Sequence, residues 1–376
     1  MSACTTRPTP VPKEYKNDLA FGAVDMNISS REENSIFYSL GTAIRQSIKR
    51  KQEPSFTILA LSGGGSRGAF GTGFIEAWYE SKQMPNFNIV TGVSTGAIMA
   101  PFVFLHDKEQ METLKYFYTH STTEEVFAND WFSFASGYVA NARPLERILD
   151  KLIDEVFLKK IAKEYEKGRR LYIGTTNLDT GKFTVWDMGV LAASNYPDKL
   201  SRFKKIILAS SALPAFVPPQ YIKIKKDAKE YYQMHVDGGV YNQIFVVGIL
   251  EDWAKLLKIK QLKGSRVTLY LISNRKYRQR DYYQPVEQNL VDIVTAYVLT
   301  EMDLLFDKST YRIYMAAKER GYSFKMVSIP NNMKPIIENP TEFEPKKMQK
   351  LFDMGYNMGM DPQWKEKVSY DEYDKL

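Results

Sequence analysis

Two strand-to-helix units stand back to back between residues 56 and 105, and each crosses from strand to helix through glycine. The first reads FTILAL, SGGGSRG, AFGTGFIEAWYE; the second reads FNIV, TGVSTG, AIMAPFVFL. A short apolar run bounded by glycine suits a strand buried on both faces, and the longer apolar run after each turn suits a helix. Two such units in succession, close enough to pair, point to a parallel or mixed sheet covered by helices on both sides. The expected fold class is α/β: a three-layer sandwich whose central, mostly parallel sheet is flanked by helices.

The rest of the chain is read around that centre. Residues 1–13 are rich in Pro and Thr, a composition that cannot bury a core, and are expected to form a flexible N-terminal tether. Residues 14–54 form a helical extension around SIFYSLGTAIRQSIKRK, where apolar positions recur every three or four residues. Residues 55–245 make the core of the domain, and residues 246–376 complete it as a C-terminal α/β part. Within the core, RRLYIGTTNLDTGKFTVWDM predicts a hairpin turning at Asn177, Asp179 and Gly181. KIILASSALPAFVPPQY predicts a helix that stops near its prolines, and YYQMHVDGGV a strand ending in a glycine turn. Beyond it are expected a helix near 244–257, a strand at 267–273, a long helical region between 286 and 319, the strand FKMVSI and a helix near 344–358. The aromatic segments YFY (116–118) and WFSFASGYV (131–139) fit either a cap over an apolar site or ordinary core.

Composition excludes several classes. Hydrophobic residues at 44% and charged residues at 25% are those of a globular chain, and no run of about 18 apolar residues encodes a membrane span. Lys and Arg number 51 against 44 Asp and Glu, a net +7 that suits an anionic membrane surface but is modest for this length, and no nucleic-acid partner is expected. A single cysteine rules out an internal disulfide framework and a cysteine-based zinc site.

Three elements carry chemistry. Ser94, in GVSTG, occupies a strand-to-helix turn, with Gly92 and Gly96 where a β-carbon would meet the neighbouring strand or helix; it is the candidate nucleophile. Gly63, Gly64 and Gly65, in SGGGSRG, follow a strand and open a helix, so their N–H groups can face an anion. The same loop satisfies the Gly-x-Gly-x-x-Gly spelling of a dinucleotide site. That reading requires an acidic residue about 20 positions on to hold a ribose, and the GVSTG turn occupies that place. An oxyanion hole is preferred, with Arg67 fixing the loop or pairing with a lipid phosphate and Gly68 opening the helix. Asp237, at the end of an apolar strand and before Gly238 and Gly239, is the candidate base. His235 shares its face of the strand but is placed awkwardly for a Ser-His-Asp triad, and no histidine follows it; its ordinary role is a satisfied strand histidine.

GGGSRG, GVSTG and DGG, in this order and spacing and with ASSALPAFVPPQ ahead of DGG, resemble the patatin-like phospholipase family over roughly residues 55–245. The resemblance implies a serine lipid acyl hydrolase with a Ser94/Asp237 dyad and no histidine, an oxyanion held by Gly63 to Gly65, and neither metal nor cofactor. It implies phospholipid or another lipid ester as substrate, cleaved at a membrane surface in the manner of a phospholipase A or lysophospholipase. One departure is visible: that family's glycine loop often begins with aspartate, where this chain has Ser62, so the anchoring of the loop is open. A second reading, a non-catalytic lipid-binding or envelope interaction protein on the same fold, would be favoured by loss of Ser94 or Asp237, and both are present. MSAC ahead of TTRPTPVP resembles the end of a bacterial lipoprotein signal, which makes Cys4 a candidate lipidation site and the chain membrane-associated; the alternatives are an incidental thiol and a cytoplasmic or secreted protein.

Overall fold

A computed structural model of the chain describes residues 7–24, 35–49, 55–128, 138–246, 248, 250, 266–277 and 285–369. Its strands are β1 (Ala23–Val24), β2 (Ser55–Leu61), β3 (Ile89–Gly92), β4 (Arg170–Asn177), β5 (Lys182–Asp187), β6 (Gln220–Lys226), β7 (Lys229–Asp237), β8 (Arg266–Lys276) and β9 (Ser323–Ile329). They form one sheet in the order β1-β5-β4-β3-β2-β8-β9, with β7 pairing β4 and β6 pairing β7. The centre, β4 through β9 by way of β3, β2 and β8, is parallel; β1, β5, β6 and β7 join it antiparallel. The two glycine-flanked runs are the heart of it, with Ile58 opposite Ile89 and Leu61 opposite Gly92.

The helices are α1 (Ile36–Lys49), α2 (Gly68–Glu80), α3 (Thr95–Leu105), α4 (Lys108–His120), α5 (Thr123–Val126), α6 (Arg143–Leu152), α7 (Glu155–Glu166), α8 (Met188–Ala193), α9 (Lys199–Ser210), α10 (Leu290–Glu319) and α11 (Pro345–Met360). They cover both faces. On β2, Leu59 and Leu61 join a core with α2, α3, α4 and α11, while Phe56, Ile58 and Ala60 join a second core with α1 and α10. Successive side chains of a strand point to opposite faces, so burial on both sides accounts for the unbroken ILAL of this strand. The sheet, with its parallel centre and flanking helices, is the expected three-layer α/β fold.

Three local expectations are corrected. QYIKIKK forms β6, which the prolines ahead of it masked in the sequence: the strand starts immediately after them and pairs along its whole length with β7. Residues 7–13 do not run free. Thr9 O accepts from Tyr232 N–H at 2.9 Å, and Arg7 pairs with Asp179 at 2.7 Å, because a strand with unpaired N–H groups recruits carbonyls that even a Pro-rich segment can offer. In the YFY segment, Phe117 and Tyr118 are core rather than cap, and Tyr116 points outward. Residues 131–137, most of the helix expected near 244–257, and Cys4 lie outside the described residues. Among the described residues no helix is long and apolar enough to cross a membrane.

Candidate active site

Ser94 stands between β3 and α3 with φ 56° and ψ −124°, a conformation that an L-residue adopts only when its surroundings impose it. Close approach imposes it here. A Cβ on Gly92 would lie 2.2 Å from the Gly96 carbonyl oxygen, and one on Gly96 would lie 2.3 Å from that of Leu61. Only glycine at both places lets the helix start that close to the strands. The end of α9 then holds the turn: Ser94 N–H donates to Ser210 Oγ at 2.9 Å, Ser210 Oγ donates to Gly174 O at 2.7 Å, and Ser211 Oγ donates to Ser94 O at 3.3 Å. Ser94 itself is half-buried.

Asp237 ends β7, where its register with Thr175 of β4 carries it to the same rim of the sheet. The main chain is tied by Asp237 N–H to Ala212 O and by Thr176 Oγ1 to Asp237 O. Its carboxyl is buried, accepts from Gly239 N–H at 2.7 Å and lies near enough to the Ser94 hydroxyl for that hydroxyl to lower its pKa. Burial raises its pKa to about 6; the Ser94 hydroxyl, the Gly239 amide and the Arg275 charge pull the other way and only partly offset the burial. Gly238 packs under the turn against Gly174 O, where a Cβ would come within 2.4 Å.

The glycine loop lies directly over the serine. Thr95 Oγ1 donates to Gly65 O at 2.8 Å, tying the loop to the first turn of α3. Gly63 N–H is turned toward Gln243 O at a long 3.4 Å, and among the described residues no carbonyl accepts from Gly64 or Gly65 N–H. Gly65, with φ 58°, sits so close to Pro340 that a Cβ would fall 2.0 Å from its carbonyl oxygen. Arg67 ties the loop to the 337–338 segment: Nε donates to Ile337 O at 3.2 Å and Nη2 to Glu338 O at 2.6 Å. Gly68 makes room for the Tyr118 ring, 2.5 Å from where a Cβ would stand.

Ser62, the departure noted in the sequence, has its own anchor. Its hydroxyl donates to Gly63 O at 2.8 Å and accepts from Asn274 N–H at 3.0 Å, while Asn274 Nδ2 donates to Ser62 O and Asn274 Oδ1 accepts from Gly71 N–H. Sequence reasoning missed Asn274, Ser210 and Gln243. The first belongs to no motif, the second was visible only as part of ASSALPAF, and the third follows DGG with nothing in its own identity to mark it.

His235 is fully buried, with Nδ1 2.9 Å from Thr175 Oγ1 and its ring edge-on to Trp186, and burial lowers its pKa to about 3. It is a neutral, satisfied strand histidine. Among the described residues no group of three or more His, Cys, Asp or Glu side chains is placed to hold a metal ion.

A mostly parallel central sheet flanked by helices, with a strained serine on a strand-to-helix turn and a buried aspartate nearby, places the chain among the three-layer α/β proteins. Within that class, the chain belongs to the patatin-like phospholipase family, whose family model matches residues 59–248. Patatin-like protein 2 of Arabidopsis thaliana is 25% identical over 206 residues, covering 49% of each protein, so the chain spans about half the length of this curated relative. The crystal structure of VipD from Legionella pneumophila aligns over 82% of this chain and 66% of that one, at 12% identity and a TM-score of 0.39.

Proposed function

We propose that the protein is a serine lipid acyl hydrolase, of phospholipase A or lysophospholipase type, that cleaves carboxylic esters of membrane lipids. The observation that carries this reading is the strained, half-buried Ser94 facing the buried carboxyl of Asp237. Asp237 takes the Ser94 proton as Oγ attacks the ester carbonyl, and the Gly64 and Gly65 amides stabilise the tetrahedral oxyanion. On collapse Asp237 passes that proton to the departing alcohol, leaving an acyl-enzyme on Ser94 that water hydrolyses with Asp237 again as base and the Ser94 hydroxyl restored.

Two features suit a lipid substrate. One turn along α3 from Ser94, Ile98 joins Phe102, Leu114, Phe117, Leu145 and Leu149 in an apolar seam between α3, α4 and α6, closed in this structure, whose lining matches an acyl chain that parts the helices. The net charge of +7 favours approach to an anionic membrane surface. Incubation with a fluorophosphonate probe tests the reading: wild-type protein is expected to label at one serine and Ser94→Ala not at all. An unlabelled wild type would leave the fold as a lipid-binding scaffold without catalysis.

A further inference from the structure

A buried positive charge stands at the end of β8, close to the base. The last residues of this strand divide between the faces of the sheet: Asn274 reaches Gly71 of α2 on one, Arg275 reaches Asp303 of α10 on the other, and Lys276 donates to Met333 O at the surface. The Arg275 side chain is 6% exposed against 59% for Asp303, and its Nε meets no acceptor among the described residues. One surface carboxylate on Nη1 and an unpaired N–H on Nε leave much of the desolvation of this guanidinium uncompensated. The packing of the fold alone gives no reason to keep a charge there.

The Asp237 turn gives one. Met302, the residue before Asp303 on α10, brings Cε to 2.7 Å from the point where a Cβ of Gly239 would stand, and Asp237 Oδ1 is 2.9 Å from the same point. The helix that holds the Arg275 guanidinium therefore lies against the turn that holds the carboxyl. Burial raises the pKa of Asp237, and the Arg275 charge is among the influences that pull it back. The other groups packed against the turn are neutral: the Ser94 hydroxyl, Thr176 of β4, Ala212 O at the end of α9, and His235, which burial keeps uncharged. Arg275 pairs with Asp303 and makes no ion pair with Asp237 itself, so it does not occupy the carboxyl oxygens.

We propose that Arg275 is a positioning residue of the hydrolase: its buried guanidinium, tethered by Asp303, keeps Asp237 a carboxylate that is ready to take the Ser94 proton. This rests on the acyl-hydrolase reading. A buried base must be charged to work, and burial favours its neutral form. A cation bonded directly to the carboxylate would solve that and create another difficulty, since it would cover the oxygen that the serine proton has to reach. Arg275 acts from beyond contact, through an interior where charges are weakly screened. Asp303 bears the opposite charge but stands largely in water, so it offsets the guanidinium only in part.

The pH profile of kcat/KM on p-nitrophenyl butyrate tests the assignment. Arg275→Met keeps the apolar stem and removes the charge; it is expected to move the rising limb upward by about half a pH unit or more, so that activity falls most on the acid side. Arg275→Lys restores the charge and should return the limb toward that of wild type, and Asp303→Asn should move it to lower pH. A purely structural role would lower activity by one factor at every pH. That result overturns the assignment of Arg275 while the serine-hydrolase reading stands, and so does a rise in KM confined to phospholipid substrates with the limb unmoved, which would make Arg275 a phosphate ligand. A wild type with neither esterase activity nor fluorophosphonate label at any pH overturns both. If Arg275→Met does not fold, the surface variant Asp303→Asn decides at low ionic strength: a limb at lower pH is expected, and an unmoved limb refutes the proposal.

Discussion

The backbone N–H of Ser94 donates to the hydroxyl of Ser210 at 2.9 Å, and that hydroxyl hands its own proton to Gly174 O at 2.7 Å. A buried serine at the end of α9 thus bridges the strained turn and the neighbouring strand β4. Without it the Ser94 amide and the Gly174 carbonyl both lose a partner in a site closed to water on that side. Ser210→Ala is expected to cost about 1–3 kcal/mol in chemical denaturation and to slow fluorophosphonate labelling of Ser94. Unchanged stability with unchanged labelling would show that the turn is held by its glycines alone.

The carboxyl of Asp237 makes a prediction about pH. Its pKa of about 6 in the folded protein lies above the ordinary 3.8, so the group releases its proton later when folded than when unfolded. Stability from this group is complete below about pH 4, where both states are protonated, and is lost as pH rises through 6, because the folded protein must then bury a charge. The difference of about two pKa units corresponds to about 3 kcal/mol. Asp237→Asn, which can still accept from Gly239 N–H, is expected to unfold at higher denaturant than wild type above about pH 7, and at the same concentration below about pH 4. Hydrolysis follows the opposite course: the base works only when ionised, so kcat/KM of the wild type should rise with pH through about 6, and Asp237→Asn should show no such limb.

Much of this was legible in the residues. The paired units around FTILAL and FNIV set the parallel centre of the sheet because glycine turns and two-sided burial leave a local signature that needs no long-range information. The strand-end positions of Ser94, Asp237 and the glycine loop were legible for the same reason: the turn chemistry of each is written in adjacent residues. What escaped was long-range. Asn274 reaches Ser62 across 212 positions, and an asparagine within a strand carries no sign of the loop that it will meet. The carbonyls of residues 337–340 that receive Arg67 and Ser66 are equally silent, since every residue has one. The hold on residues 7–13 depends on an edge of β7 that exists only once the sheet is assembled.

Asn274 carries a prediction of its own. It donates to the Ser62 carbonyl and accepts from Gly71 N–H, so it locks the start of the glycine loop to the first turn of α2 in place of the acidic residue that the family often has at position 62. Asn274→Ala leaves both buried groups unpaired and should destabilise by about 1–3 kcal/mol for each. If the loop holds the oxyanion, kcat should fall with little change in KM. A rise in KM with kcat unchanged would mean that the loop binds substrate and transition state alike.

Ile98 tests where the acyl chain lies. It is one turn beyond Ser94 on the same helix, its N–H reaching back to Ser94 O at 3.3 Å, and it lines the apolar seam with Phe102 and Leu114. A larger side chain there shortens the seam at the end nearest the serine. Ile98→Trp is expected to cost about 1–3 kcal/mol of stability through overpacking. If the acyl chain runs between α3 and α4, kcat/KM on a p-nitrophenyl palmitate should drop about tenfold or more relative to the butyrate, because a long chain loses several buried methylenes and a short one few. A ratio that does not move would place the chain elsewhere and make the seam part of the packing of α3 alone.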